Sequence, residues 1–207
     1  MKLLLLLLAL PIFGFGQNVN IPDANFKAYL VGNSAINTNG DNEIQVSEAS
    51  AFNGNIDCHQ MFINNLTGIE AFTALTYLDC KGNQLTSLDV SKNTALTVLD
   101  CSYNPLTSLD VSKNIALYSL LCYANQLISL NISGASALSW LNCGGNKLTS
   151  LDLSKNSALT ELGCFNNQFS SLDLSKNTSL TYLECGENKF DCTALKSKYG
   201  ITDPTGE

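Results

Sequence analysis

Eight cysteines, a single histidine and many asparagines carry most of the reactive or ligating chemistry of this 207-residue chain. Cys80, Cys101, Cys122, Cys143, Cys164 and Cys185 recur every 21 residues, Cys58 precedes them by 22, and Cys192 stands outside the period. Three chemistries compete for such a set. Disulfides suit an even count in a secreted chain, zinc needs four converging ligands, and buried thiols serve as small apolar side chains. The period separates them. Cysteines on equivalent strands of successive coils hold their Cβ atoms near the ~4.8 Å strand spacing and parallel, whereas a disulfide wants them about 3.8 Å apart and turned toward each other. A straight column with His59 as the only histidine offers zinc no tetrahedron. The spacing predicts a column of reduced thiols, and leaves a closing disulfide between Cys185 and the off-period Cys192 as an open alternative.

A second ligand pattern lies at residues 37–48, NTNGDNEIQVSE. Set against the twelve-residue calcium loop of EF-hand and dockerin-like proteins, it puts Asn37, Asn39, Asp41, the Glu43 carbonyl, Gln45 and Glu48 at ligand positions, and Ile44 at the apolar one. Asn37 replaces an aspartate and Asn42 the turn glycine, so two carboxylates remain among the ligands. The expectation is a plain polar connector and no cofactor, with at most weak calcium binding by this loop as the alternative.

The elements that must hold these residues follow from the repeat. Units of 21 residues begin at Leu75, Leu96, Leu117, Leu138, Leu159 and Leu180, with leucine or a substitute at positions 1, 4, 11 and 14, cysteine at 6 and asparagine at 9. A fixed period of this length means a solenoid whose coils cannot fold singly. About seven inward side chains, at roughly 1.5–3 kcal/mol each, only match roughly 1–2 kcal/mol of backbone ordering per residue. The period predicts parallel strands centred on Leu78, Leu99, Leu120, Leu141, Leu162 and Leu183. The half-repeat LTSLDVSKN predicts a second short strand around Leu88, Leu109, Leu130, Leu151 and Leu172. Two asparagine columns, one from Asn83 to Asn188 and one of Asn93, Asn114, Asn156 and Asn177, read as corner amides that satisfy the bends. Pro22 to Val31 predicts a helix with Phe26, Tyr29 and Leu30 on one face, capping the open apolar end.

The pattern LxxLxCxxNxL, kept through six copies, resembles the leucine-rich repeat proteins from about Asn53 to Phe190. With the opening IPDANFKAYL at Ile21 to Leu30, it is most similar to secreted cysteine-containing repeat proteins of Bacteroidetes-like bacteria. The resemblance implies a leucine-rich repeat solenoid, formally α/β but here nearly all β: a right-handed stack of parallel short strands behind a short helical N-terminal cap. The expected division is a signal peptide at 1–16, a helical cap with the EF-hand-like loop at 17–52, one degenerate coil plus six repeats at 53–190, and a C-terminal cap at 191–207.

Charge and hydropathy narrow the partners. Eleven lysines and no arginine face 18 acidic residues, for a net charge of -7. A nucleic-acid binder or an anionic membrane surface needs clustered cations, so neither is expected as a partner. MKLLLLLLALPIFGFG reads as a secretory signal cut near Gln17, and no later stretch is apolar enough for membrane insertion. The first cysteine after that cut is Cys58, which argues against a lipoprotein anchor.

Comparing the six copies with one another locates a binding face. The LTSLDVSKN side barely varies, and its Asp and Lys columns read as a solvated, charge-balanced surface. The first-strand side varies at nearly every outward position and gathers Tyr77, Tyr103, Leu121, Tyr123, Trp140, Phe165 and Tyr182. Rigid rings with polar handles suit recognition. The leading expectation is a secreted or cell-surface, non-enzymatic module that binds a protein through this face, as the family resemblance also implies. A glycan or adhesion ligand stacked on the same rings is the alternative, and scattered aromatics that merely favour strands the plain one. An enzyme lacks support: one histidine without a placed nucleophile or acid pair fails the geometric requirement.

Overall fold

A computed structural model describes residues 16–201; all but the last residue of the expected signal segment, and residues 202–207 of the expected C-terminal cap, lie outside the described part. Each unit supplies the main sheet with one three-residue strand, whose central leucine points inward with the cysteine two residues on. β1 (Asn55–Asp57), β2 (Tyr77–Asp79), β3 (Val98–Asp100), β5 (Ser119–Leu121), β7 (Trp140–Asn142), β8 (Glu161–Gly163) and β9 (Tyr182–Glu184) form a parallel sheet in that order. The register is the repeat itself: Leu78, Leu99, Leu120, Leu141, Leu162 and Leu183 stack, and Ile56 of the degenerate coil joins them across its 22-residue step. These centres and the six cysteines from Cys58 to Cys164 have no solvent exposure.

Past each cysteine the chain bends through one left-handed residue. Gln60, Gly82, Tyr103, Ala124, Gly145, Asn166 and Glu187 occupy this place with φ between 49° and 66°. The bend exposes backbone groups, and the first asparagine column satisfies them. The Asn104 Nδ2 donates to the carbonyls of Cys80 on the preceding coil and Cys101 on its own, at 3.0 and 3.2 Å, and its Oδ1 accepts from the Leu85 N–H at 3.0 Å. Asn125, Asn146 and Asn167 repeat the arrangement. Each amide therefore rivets two coils as well as closing its own turn.

The second side departs from the expectation. Strands form at Leu109 and Leu130 as β4 (Ser108–Asp110) and β6 (Ser129–Asn131), which pair with each other, while the segments at Leu88, Leu151 and Leu172 make no strand. Gly134 supplies the reason. It stands where the other units carry Lys92, Lys113, Lys155 and Lys176, and a Cβ there would lie 1.8 Å from the Ser112 carbonyl oxygen. Only the missing side chain lets this coil approach its predecessor closely enough to pair.

α1 (Ala24–Gly32) starts after Asp23, whose Oδ1 accepts from the N–H groups of Asn25 and Phe26. Its Oδ2 accepts from Asn64 and Asn65, so one carboxylate ties the cap to the degenerate coil. Phe26 and Leu30 are fully buried over the first coil, and Tyr29 packs beside them and accepts from the Asp57 N–H. α2 (Val46–Ala51) begins within the 37–48 segment, and a 3₁₀ turn spans Ile69–Ala71. At the other end α3 (Cys192–Tyr199) stops at the left-handed Gly200. The open question there is answered: Cys185 and Cys192 are disulfide-bonded and staple this helix to the last coil. A single apolar core runs from Val19 to Ile201.

Candidate functional site

The outward side of the seven-stranded sheet is built by alternation. In each strand the central leucine is inward, so the residues on either side of it face out. Trp140 opens β7 and is 45% exposed, Tyr103 follows β3 at 53%, and Tyr77, Leu121, Tyr123, Phe165 and Tyr182 are half-buried. Leu121 corrects the sequence reading, which took it as exposed: Asp100 and Asn142 flank it in register and cover part of it.

Two of these rings form a defined corner. Tyr103 and Tyr123 meet edge to face, with centroids 5.1 Å apart and planes at 77°. The Lys81 ammonium lies 5.5 Å from the first ring centroid and 5.8 Å from the second, which is cation–π geometry. Tyr103 holds its place at φ 53°, a conformation disfavoured for a side chain of its size. Phe165 lies across Gly144, where any Cβ would come within 2.3 Å of its ring. Trp140, Tyr77 and Tyr182 join no ring pair among the described residues, whose ring pairs are Tyr103–Tyr123 and Phe52–Phe72. The sheet thus collects the predicted residues on one side, with Tyr103 and Tyr123 as their one ring pair among the described residues.

Further exposed apolar residues escaped the sequence reading. Phe62 is 71% exposed at φ 56°, and Tyr118, Ile115 and Ile128 are exposed too. Ile128 replaces Thr86, Thr107 and Thr149 in its column, and Ile115 replaces Thr94 and Thr178 in another. Reading the second side as nearly invariant passed over Ile115 and Ile128, which break its columns. The coil of residues 117–137 departs from its neighbours all round, with Leu121, Tyr123, Ile128, Gly134 and Ala135 at five of its repeat positions.

The strand ends also carry charge. Asp57, Asp79 and Asp100 stack in register, and the His59 Nδ1 is hydrogen-bonded to Asp57. Burial, then the facing Asp100 and Asp57 charges, push the Asp79 carboxyl above its ordinary range, although the Lys81 N–H hydrogen bond opposes this. The hydrogen bond that His59 donates to Asp57, and then the charge of that carboxylate, raise the His59 pKa. The thiols beneath are inert at neutral pH: burial, then the Asp79 and Asp57 charges, push Cys58 up to about 12, and burial with Glu184 does the same for Cys164.

The 37–48 loop closes on itself. Asn39 Nδ2 donates to Asp41 Oδ2 and Gln45 Oε1, and Gln45 Nε2 donates to the same Asp41 oxygen. Glu48 accepts from Thr38, Asn39 and Gln45 as half of a capping box, and these bonds outweigh burial to hold it below its ordinary range. Asn37 turns its amide toward the Val31 and Asp41 carbonyls, and the Glu43 side chain pairs with Lys27 at 2.6 Å. Asn39, Asp41 and Gln45 therefore converge, with amide N–H groups at present between their oxygens.

The family profile described as Leucine Rich repeats (2 copies) matches residues 73–136. The chain folds as a leucine-rich repeat solenoid. Over 38 residues, 18% of this chain and 4% of the relative, it is 50% identical to Internalin J of Listeria monocytogenes. Among solved structures it is similar to an internalin (inlF) of Listeria monocytogenes, with a TM-score of 0.61 and 20% identity, over 92% of this chain and 65% of that one. It is similar also to internalin C2 of the same species, with a TM-score of 0.58 and 20% identity, over 88% of this chain and 94% of that one. The leucine-rich repeat chain thus spans less than two thirds of the first two relatives. At these structural identities the likeness is one of fold. No helix among the described residues is long and apolar enough to cross a membrane.

Proposed function

We propose that this chain is a secreted, non-enzymatic binding module that engages a protein partner through the outward face of its seven-stranded sheet. The observation that carries the reading is the Tyr103–Tyr123 corner beside Lys81, with Trp140 exposed on the same face. Tyr and Trp are among the residues that dominate interface energies, and a solenoid offers them a rigid, extended surface. The repeat match supports the same reading, because solenoids of this kind are scaffolds for recognition.

The test is affinity capture with immobilised wild type, a Tyr103→Ala/Trp140→Ala variant and, as a control on the second side, Ile128→Thr. A protein held by wild type and the control but released by the face variant supports the proposal, once reconstituted with purified components. Equal capture by all three overturns it. Binding to a glycan array that is lost in the face variant, without a captured protein, would favour the glycan alternative. Under the same proposal the 37–48 loop binds calcium weakly, by turning the Asn39 and Gln45 amides so that their oxygens join Asp41. Calorimetry would then register heat in wild type and none in Asp41→Ala.

A further inference from the structure

At the N-terminal end of the sheet face, a side chain that ligates metals meets two carboxylates across neighbouring coils. Asp57 ends β1, and its in-register partner Asp79 ends β2. His59, two residues beyond Asp57, returns to the same side of the chain. One ligand atom from each of the three lies within 4.8 Å of the other two.

The backbone that carries them is fixed. The Cys58 N–H donates to the Asp79 carbonyl at 2.8 Å, and the Gln60 N–H to the Lys81 carbonyl at 2.9 Å, so the parallel ladder continues on both sides of His59. Gly82 lets the Gln60 side chain lie across the next coil, since a Cβ there would come within 2.9 Å of it. The side chains remain free to adjust, because Asp57 and His59 are about half exposed.

Electrostatics favours an added cation. With Asp100 next in register, three carboxylates stack at one-strand spacing, and like charges directly opposite destabilise a sheet. The side chain bonded to this stripe at Asp57 is the His59 imidazole, a cation only when protonated. Lys81, whose N–H bonds Asp79, sends its ammonium to the tyrosine corner instead.

We propose that Asp57, His59 and Asp79 bind a divalent transition-metal ion of zinc-like preference, with one imidazole nitrogen and two carboxylate oxygens as ligands. Ligands about 2.1 Å from a tetrahedral ion are about 3.4 Å apart. The donors already lie within 4.8 Å of one another, and to admit the ion the His59–Asp57 hydrogen bond opens while Asp79 closes in, movements that exposed and half-exposed side chains allow. Three protein ligands leave a coordination position open toward solvent. On this face that position can be filled by water or by a donor from a bound molecule. The site is separate from the cysteine column, whose thiols are buried beneath the strands.

The test is calorimetric titration of the folded chain with Zn²⁺, repeated with Co²⁺ for its absorption spectrum. One ion per chain is expected, with affinity lowered at least about tenfold in His59→Gln and in Asp79→Asn, as removal of a metal-site group requires. Asp41→Ala should leave it unchanged, and the Co²⁺ spectrum should lack thiolate charge-transfer bands. Circular dichroism of the two variants should match wild type, as their exposed or half-exposed positions allow. No saturable binding by wild type, equal affinity in both variants, or a thiolate band would each overturn the proposal. None of these outcomes depends on the identity of a protein partner.

Discussion

Along one side of the solenoid seven strands run in unbroken register; along the other, two strands pair and the rest of the wall is held by turns. Both sides are written in leucines at three-residue spacing followed by asparagine, so hydrophobic pattern alone does not separate them. The amides do. In the strand-side column each asparagine uses both ends, donating to two coils through Nδ2 and accepting a backbone N–H through Oδ1. In the second column Asn114 donates to the Val90 and Asn93 carbonyls of the preceding coil, and its buried Oδ1 accepts nothing from the protein. Asn93, Asn156 and Asn177 have the same idle oxygen. An amide used at both ends recurs in all six units, whereas the one-ended column already tolerates Ala135.

The sharpest way to break this comparison is chemical. All six unpaired sulfurs, from Cys58 to Cys164, belong to the strand side and are buried. A thiol reagent should find none of them in the folded chain and six in denaturant without reductant. Eight in denaturant would remove the Cys185–Cys192 bond, and fewer than six would mean that the column itself is paired.

Among substitutions, Asn104→Ala should destabilise most. It strands the Cys80 and Cys101 carbonyls and the Leu85 N–H inside the bend, and with buried groups at about 1–3 kcal/mol each but partly relieved by relaxation, a loss of about 3 kcal/mol is expected in urea unfolding. Gly134→Ala should follow at about 2 kcal/mol, the range of overpacking, because its methyl must displace the Ser112 carbonyl. The β4–β6 pairing would open, which amide exchange at Val111 would report. Asn114→Ala should weaken the fold by only about 1 kcal/mol, since the same change that orphans two carbonyls also removes a desolvated oxygen. Equal losses for Asn104→Ala and Asn114→Ala would end the distinction between the columns.

The period made the sheet legible, because a 21-residue step with leucine at its fourth position leaves a strand one register to adopt. The second strand at Leu109 and Leu130 was only half legible. Its formation rests on Gly134, a single departure whose meaning appears when the Ser112 carbonyl is seen beside it. The candidate face was legible by alternation: Trp140 and Tyr103 are exposed as their places in the repeat require. The Tyr103–Tyr123 contact was not, since it depends on a left-handed residue and on the path of the Lys81 side chain. The Asp57–His59–Asp79 meeting stayed hidden for a related reason. The 22-residue step of the degenerate coil hid which residues stand opposite one another.

The smallest effect separates a functional face from a structural one. Trp140 opens β7 with its ring outward while Leu141 and Cys143 fill the core. Its partners in register are Ser119 and Glu161, neither of them a ring that could lock it in place. Truncating an exposed side chain away from special contacts changes stability by no more than about 0.5 kcal/mol, so Trp140→Ala should unfold in urea almost with wild type. A central aromatic anchor, by contrast, typically weakens an interface by about 2 kcal/mol or more when removed. The two measurements together decide the role of the face. A marked drop in melting temperature would make the ring part of the framework, while unchanged stability with unchanged affinity for an identified partner would move the binding site off this face, toward Tyr118 or the second-side Ile115 and Ile128.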